Sequence, residues 1–450
     1  MAGVANGASS TEAANLEPQD PGSYPLAAQI PLKGFQLPEF PAHASRLREL
    51  TFTADIKLDE YQDMVQTHSD AIITQPPLPD LPKSITHLTF ELFGLGFPGT
   101  PPFLTRLARS LPNIRSVTFF SCLIDGLDDA SRKDAEKFFE CLPNLRELHI
   151  IDSFARPGFF KAAGRLLEAH AKGDASEGLK LVDVSYTFRG HEDSDFLARV
   201  QGEDLPSLIV KGLVGASFDF VPERQDELAE APEGEDGKKD SQKVNEGILP
   251  FASDGRAPTA VRKRFEDMSH GGQLKSLKIL NLGMYTLRPV EVGEVVYACA
   301  GGEEAAGLVD ITVSILLEED WAAKLAEGLQ YKGVAAVLEG IEVIGVPDKA
   351  QEEGEDWKAG LAVANLTDVE KIAAGCPKLG KFGMSILKLW SMCHYYGFSQ
   401  QNQESKSKHD EHWTFHVATL TKTAGLYGST TPVETRVNFQ INTLTILPSQ

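Results

Sequence analysis

The chain has no apolar run of the length that crosses a bilayer, about 18 residues, no C-x-x-C pair among its 5 cysteines, and no surplus of basic residues. Each absence removes a class of function. The N-terminal stretch MAGVANGASSTEAANLEPQDPGSYP has neither a basic start nor an apolar core, so neither a secretory signal nor a membrane span is expected. The expected location is intracellular, cytoplasmic or nuclear. Cys122, Cys141, Cys299, Cys376 and Cys393 are scattered and odd in number, which fits reduced thiols packed as small hydrophobes rather than a disulfide framework. Lys and Arg number 43 against 64 Asp and Glu, a formal net charge of -21. Polyanions and anionic lipid are held by basic surfaces, so neither nucleic acid nor membrane is expected as a partner.

What the chain does have is apolar residues in a recurrent beat. Hydrophobic residues make up 42% of 450 positions, ample for a continuous core. The stretch Leu142 to Ile150, LPNLRELHI, carries the spacing Leu145-x-x-Leu148-x-Ile150. The same spacing returns as Leu47/Leu50/Phe52, Ile85/Leu88/Phe90, Ile114/Val117/Phe119, Leu179/Val182/Val184 and Leu205/Leu208/Val210. It returns again as Leu277/Leu280/Leu282, Leu308/Ile311/Val313, Leu338/Ile341/Val343 and Leu379/Phe382/Met384. Most successive copies lie about 30 residues apart, the usual length of a structural repeat. The last two anchors of each copy share one side of a strand, since successive strand residues point to opposite faces.

Between these beats the sequence predicts helices over Pro102 to Leu111, Asp129 to Leu142, Pro157 to Ala171, Pro289 to Ala300, Glu319 to Tyr331 and Asp368 to Gly375, with another at Thr259 to Met268. Pro157 suits an early helix position, and Gly375 a C-terminal cap ahead of Pro377. A strand, a turn and a helix repeated at this interval form the leucine-rich-repeat arrangement. The prefixes Leu111-Pro-Asn113, Leu142-Pro-Asn144 and Cys376-Pro-Lys378, with Phe119-Phe-Ser-Cys122-Leu-Ile-Asp125 after one strand, resemble the long, irregular leucine-rich repeats of F-box-type proteins, fungal ones especially. The resemblance implies a protein-recognition role, and for some members adaptor work in ubiquitin ligation, although no F-box helical pattern precedes the repeats in this chain. The asparagine or cysteine ladder position of such repeats is met by Cys122. Asp55, Phe93, Ser153 and Thr187 stand there in other copies, so the ladder is expected to be incomplete.

The expected fold class is therefore α/β, a leucine-rich-repeat-like solenoid, or horseshoe, of about ten irregular strand-helix units. Residues 1-25 read as a disordered tail and 26-45, with three prolines, as an N-terminal cap. The solenoid covers 46-390, and 391-450 reads as a C-terminal cap that covers its apolar end. An acidic insertion at 222-250 interrupts the solenoid. Seven acidic residues and one base fall between Glu223 and Asp236, a composition that stays disordered.

Two constellations are enzyme-like. Gly94-Leu-Gly96-Phe-Pro-Gly99 follows a strand and precedes a helix, the context of a dinucleotide site. Pro98, Pro101 and Pro102 remove backbone donors where a phosphate would sit, and a turn between repeats is the simpler reading. A nucleotide-dependent enzyme of doubly wound fold using Gly94, Gly96 and Gly99 is the alternative. His409, His412 and His416 have helical spacing for a metal, but Trp-Thr-Phe-His-Val favours a strand, so no metal, cofactor or catalytic residue is assigned. The chain is expected to be a non-enzymatic scaffold that recognises a protein partner. The side chains between the anchors would line its concave strand face: Glu49, His87, Glu91, Thr118, Glu147, His149 and Asp183, with Thr312, Ser314 and the aromatic Phe120.

Overall fold

The structure is a computed structural model that describes residues 27–31, 44–53, 78, 80–91, 102–126, 128–171, 177–188, 196–222, 250–269, 272–300, 307–347, 366–386, 413–422 and 437–446. The glycine cluster 94–99, most of the acidic stretch 222–250, and His409 with His412 lie outside the described residues.

Eleven strands form one sheet, and every neighbouring pair runs parallel. They are β1 (Ala27–Pro31), β2 (Glu49–Thr53), β3 (His87–Glu91), β4 (Ser116–Phe120), β5 (Glu147–Ile151) and β6 (Leu181–Phe188), followed by β7 (Gly215–Pro222), β8 (Ile279–Leu287), β9 (Asp310–Leu317), β10 (Gly340–Pro347) and β11 (Lys381–Ile386). Their order in space is their order in the chain. A parallel strand can follow its neighbour only after a crossover that returns the chain to the starting edge. The described crossovers are α1 (Phe103–Ser110), α2 (Asp129–Glu140), α3 (Phe159–His170), α4 (Phe196–Val200) with a 3-10 turn at Leu205–Leu208, α5 (Arg256–Ser269), α6 (Pro289–Ala300), α7 (Trp321–Gln330) and α8 (Leu366–Gly375). Each packs against the next in the row, with the 3-10 turn carrying the contact between α3 and α5. Repeated strand-helix units in strict sequence thus build one parallel sheet.

Register follows from the anchors. Leu50, Leu88, Val117, Leu148 and Val182 are paired across β2 to β6, and so are Phe52, Phe90, Phe119, Ile150 and Val184. All ten are essentially buried, each contributing about 1.5–3 kcal/mol relative to exposure. Three of them form an aromatic column: Phe52, Phe90 and Phe119 stack with centroids 5.8 and 5.5 Å apart. A slip by one residue would turn the whole set outward, so burial fixes the register strand after strand.

Nine of the ten beats read in the sequence fall on strands. Leu205/Leu208/Val210 does not. Its residues form the 3-10 turn, in which Pro206 occupies an early position, and the strand comes later as β7, anchored by Leu213, Ala216 and Phe218. Pro157 also stands outside its helix, because Gly158, at φ 84°, is the N-cap of α3. Near the C-terminus Trp413–Lys422 (β12) and Val437–Ile446 (β13) are strands, but they pair antiparallel in a separate sheet. Ile441, Leu444 and Ile446 repeat the same spacing on β13, but this copy does not extend the parallel sheet.

Carboxylates tie the units together at helix starts. Asp128 caps α2 by accepting from Ser131 N at 2.7 Å. Asp204 accepts from Gly158 N at 2.6 Å and pairs with Lys161 Nζ at 2.7 Å at the start of α3. Glu291, in the first turn of α6, accepts from Arg288 N and pairs with Arg262 of α5. These satisfy amides that no helix can bond internally. The buried ladder also runs further than its sequence pattern implies. Cys122 Sγ donates to Phe90 O, Cys122 N donates to Ser153 Oγ, and Tyr186 Oη donates to Ser153 O.

Candidate interaction face

A strand of this sheet has anchor residues packed toward the helices and intervening residues on the opposite face. In β2 and β3 the pattern is exposed, buried, half-buried, buried, half-buried. Parallel pairing turns each intervening position into a row across the sheet. One row reads Thr51, Thr89, Thr118, His149, Asp183 and Ser217, then Asn281, Thr312 and Glu342. The row on one side of it holds Glu49, His87, Ser116, Glu147 and Leu181; the row on the other holds Glu91, Phe120, Ile151, Ser185 and Asp219.

Eight of the ten side chains singled out from the sequence, Glu49, His87, Glu91, Thr118, Phe120, Glu147, His149 and Asp183, therefore lie together on the face away from the helices of five adjacent strands. Phe120 is 37% exposed there. His149 Nδ1 stands 3.3 Å from Asp183 Oδ2, and His87 Nδ1 stands 2.9 Å from Thr86 Oγ1. Ser314 departs from expectation. It is fully buried, and its hydroxyl donates to Gly283 O at 2.6 Å. The cause is a break in β8 between Leu282 and Thr286, where the register with β9 shifts.

Two further polar residues of this face, Asn281 and Asp219, were not legible in the sequence. Asn281 Nδ2 donates to Asp219 Oδ2 at 3.1 Å, and Asn281 Oδ1 accepts from Gly283 N at 2.8 Å. Burial raises the Asp219 carboxyl above its usual range against the lowering effect of the Asn281 bond, and the charges of Glu342 and Asp183 add to the rise. Asp219 lies on β7, which starts later in the chain than the Leu205/Leu208/Val210 beat implies. The beat gives anchors only, so what stands opposite what across a 62-residue gap follows from register alone.

The face is acidic. Glu49, Glu91, Glu147, Asp183, Asp219, Asp310 and Glu342 face His87, His149 and Lys381. Among the described residues no group of three His, Cys, Asp or Glu is placed to hold a metal ion, and no helix is long and apolar enough to cross a membrane. The sheet order never reverses, so it lacks the switch point at which doubly wound sheets bind nucleotides.

No family model matches the chain, and no curated protein matches it. Among solved structures, the complex of TLR13 with ssRNA13 aligns over 75% of this chain and 46% of that one, at 12% identity and a TM-score of 0.25. A superposition that loose says nothing of this chain's fold, ligand or partner.

Proposed function

We propose that the protein is a non-enzymatic interaction scaffold that recognises a protein partner across the face of the parallel sheet opposite the helices. The observation that carries this reading is the set of in-register rows. They bring side chains from positions as distant as Glu49 and Asp183 onto one surface that no helix among the described residues covers. Phe120 supplies the kind of exposed aromatic that concentrates binding energy, with Ile151 beside it in register. The surrounding carboxylates favour a basic partner surface, which steers association more than it sets affinity.

The test is affinity capture with mass spectrometry, wild type beside the double variant Phe120→Ala with His149→Asp. Both substitutions are at incompletely buried positions, so the fold is expected to survive, and thermal melting checks that it does. Partners retained by wild type at low salt and lost by the variant support the reading. Retention of every partner at equal yield overturns it.

A further inference from the structure

A second surface, opposite in charge, runs along the edge where the chain enters each strand. The residue immediately before the strand is Arg48, Arg115, Arg146, Lys180 and Lys278 in five of the seven units from β2 to β8. The turns just before them add Lys83, Lys211 and Lys275. Backbone bonds stack these positions: Arg115 N donates to Thr86 O, Arg146 N to Arg115 O, and Lys180 N to Arg146 O, each at 2.7 Å. In a chain of net charge -21, eight of the 43 Lys and Arg residues thus line one ledge.

Part of this row has an internal purpose. Arg48, Arg146, Lys180 and Lys278 each donate to a carbonyl in the next unit's turn: Ser84 O, Gly178 O, Gly212 O and Gly307 O, at 3.4, 3.0, 3.2 and 3.4 Å. They satisfy carbonyls between units, near helix C-termini where positive charge is favourable. Arg115 is different. It is exposed and makes no side-chain hydrogen bond or ion pair among the described residues. It lines a cleft of about 290 Å³ with Asn113, Asn144 and Arg146. Both asparagines are pinned by their amide nitrogens, Asn113 to Lys83 O at 2.7 Å and Asn144 to Pro112 O at 3.0 Å. Their Oδ1 atoms are left as acceptors without a described donor.

We infer that this cleft binds an acidic peptide segment, with Arg115 and Arg146 holding a side-chain carboxylate and the Oδ1 atoms of Asn113 and Asn144 taking peptide N–H groups. Guanidinium forks match carboxylate geometry two bonds at a time. The starts of neighbouring strands lie about 4.8 Å apart, within reach of one acidic side chain or two in succession. The mixture of donors and acceptors selects against a bare anion, which offers no N–H. A phosphodiester backbone likewise has no N–H to offer the Asn113 and Asn144 oxygens, so a nucleic acid fits less well than an acidic peptide. This surface is separate from the sheet face of the proposed function, and neither reading depends on the other.

The test uses the full chain and fluorescence anisotropy with a labelled eight-residue oligoglutamate peptide. Inorganic phosphate and an eight-nucleotide oligouridine serve as competitors. Wild type is expected to bind the peptide, more weakly as salt is raised. Arg115→Glu is expected to weaken binding at least tenfold, whereas Lys263→Glu, the same charge change on the exposed side of α5, and Phe120→Ala leave it within about twofold. No binding at millimolar peptide, an equal loss in Lys263→Glu or Phe120→Ala, or stronger competition by oligouridine or phosphate than by unlabelled peptide would each overturn the assignment.

Discussion

Asp134, in the middle of α2, holds the start of α1 in the preceding unit through Thr105. Its Oδ1 accepts from Thr105 N at 2.9 Å and from the Thr105 hydroxyl at 2.6 Å, while Oδ2 accepts from Leu104 N at 2.8 Å. Pro102, the N-cap residue of α1, makes no side-chain cap bond, so a carboxylate from the next unit does that work. Both partners are buried. Asp134→Ala strands two backbone amides and a hydroxyl, each costing about 1–3 kcal/mol when left unpaired. Water entry into the gap limits the sum, and an overall loss of about 2–4 kcal/mol is expected, read as a fall in urea midpoint. Asp134→Asn, which keeps one acceptor oxygen, should lie in between. A change under about 0.5 kcal/mol for Asp134→Ala would show that the cap contributes nothing.

Gly293 and Gly328 mark where α6 and α7 cross most closely. A Cβ on Gly293 would come within 2.5 Å of the Gly328 backbone carbon and Cα, whereas one on Gly328 would find Val290 O at 3.2 Å. Alanine improves an exposed helix interior by about 1 kcal/mol over glycine. At this crossing helix propensity and packing oppose each other. Overpacking into backbone costs about 1–3 kcal/mol and wins at Gly293, so Gly293→Ala lowers the thermal midpoint. Gly328→Ala should lie close to wild type. Equal midpoints for Gly293→Ala and wild type would mean that the helices separate freely.

Much of the strand framework was legible because burial imposes a period of two that sequence alone can show. Leu145, Leu148 and Ile150 announce β5 with no help from the rest of the chain. The reading failed where chemistry at an anchor is small: β7 carries Ala216 at the second anchor, and the neighbouring Leu205/Leu208/Val210 offered a louder beat that Pro206 and the 3-10 turn claim. Ala27–Pro31 joins the sheet as an eleventh strand, although its anchor positions are Ala28 and Ile30 in a proline-rich setting. The sheet-face residues from Glu49 to Asp183 were legible because they sit between unambiguous anchors. Asn281 and Asp219, and the ledge around Arg115, were not. Their significance lies in which units are adjacent and which side chains find a partner.

Stability should depend on pH at Asp219 in a definite direction. Burial holds its carboxyl above the usual value of 3.8, with Glu342 and Asp183 adding to the rise. The folded protein then binds a proton more tightly than the unfolded chain. Its contribution is present below 3.8 and is lost as pH rises through the raised value. Asp219→Asn removes this titration and keeps an oxygen for Asn281. Relative to wild type, the variant should gain stability as pH climbs from below 3.8 toward neutrality, measured by urea midpoints on either side of that window. A gap that narrows or reverses along the same series would contradict a raised Asp219 carboxyl.

The aromatic column gives the sharpest test of how cooperative the array is. Phe90 stacks between Phe52 and Phe119 and meets Phe138 of α2 edge-on with centroids 5.9 Å apart. Phe90→Ala should cost about 3–5 kcal/mol, the range for deleting a buried aromatic, and Phe90→Leu clearly less. In a stack where each unit touches only its neighbours, that loss is local. Amide exchange should therefore accelerate across β2 to β4 while β8 to β10, held by their own anchors Leu280, Ile311 and Ile341, stay protected. If exchange instead rises uniformly from β2 to β11, the sheet unfolds as a single unit, and the nearest-neighbour description of the stack is wrong.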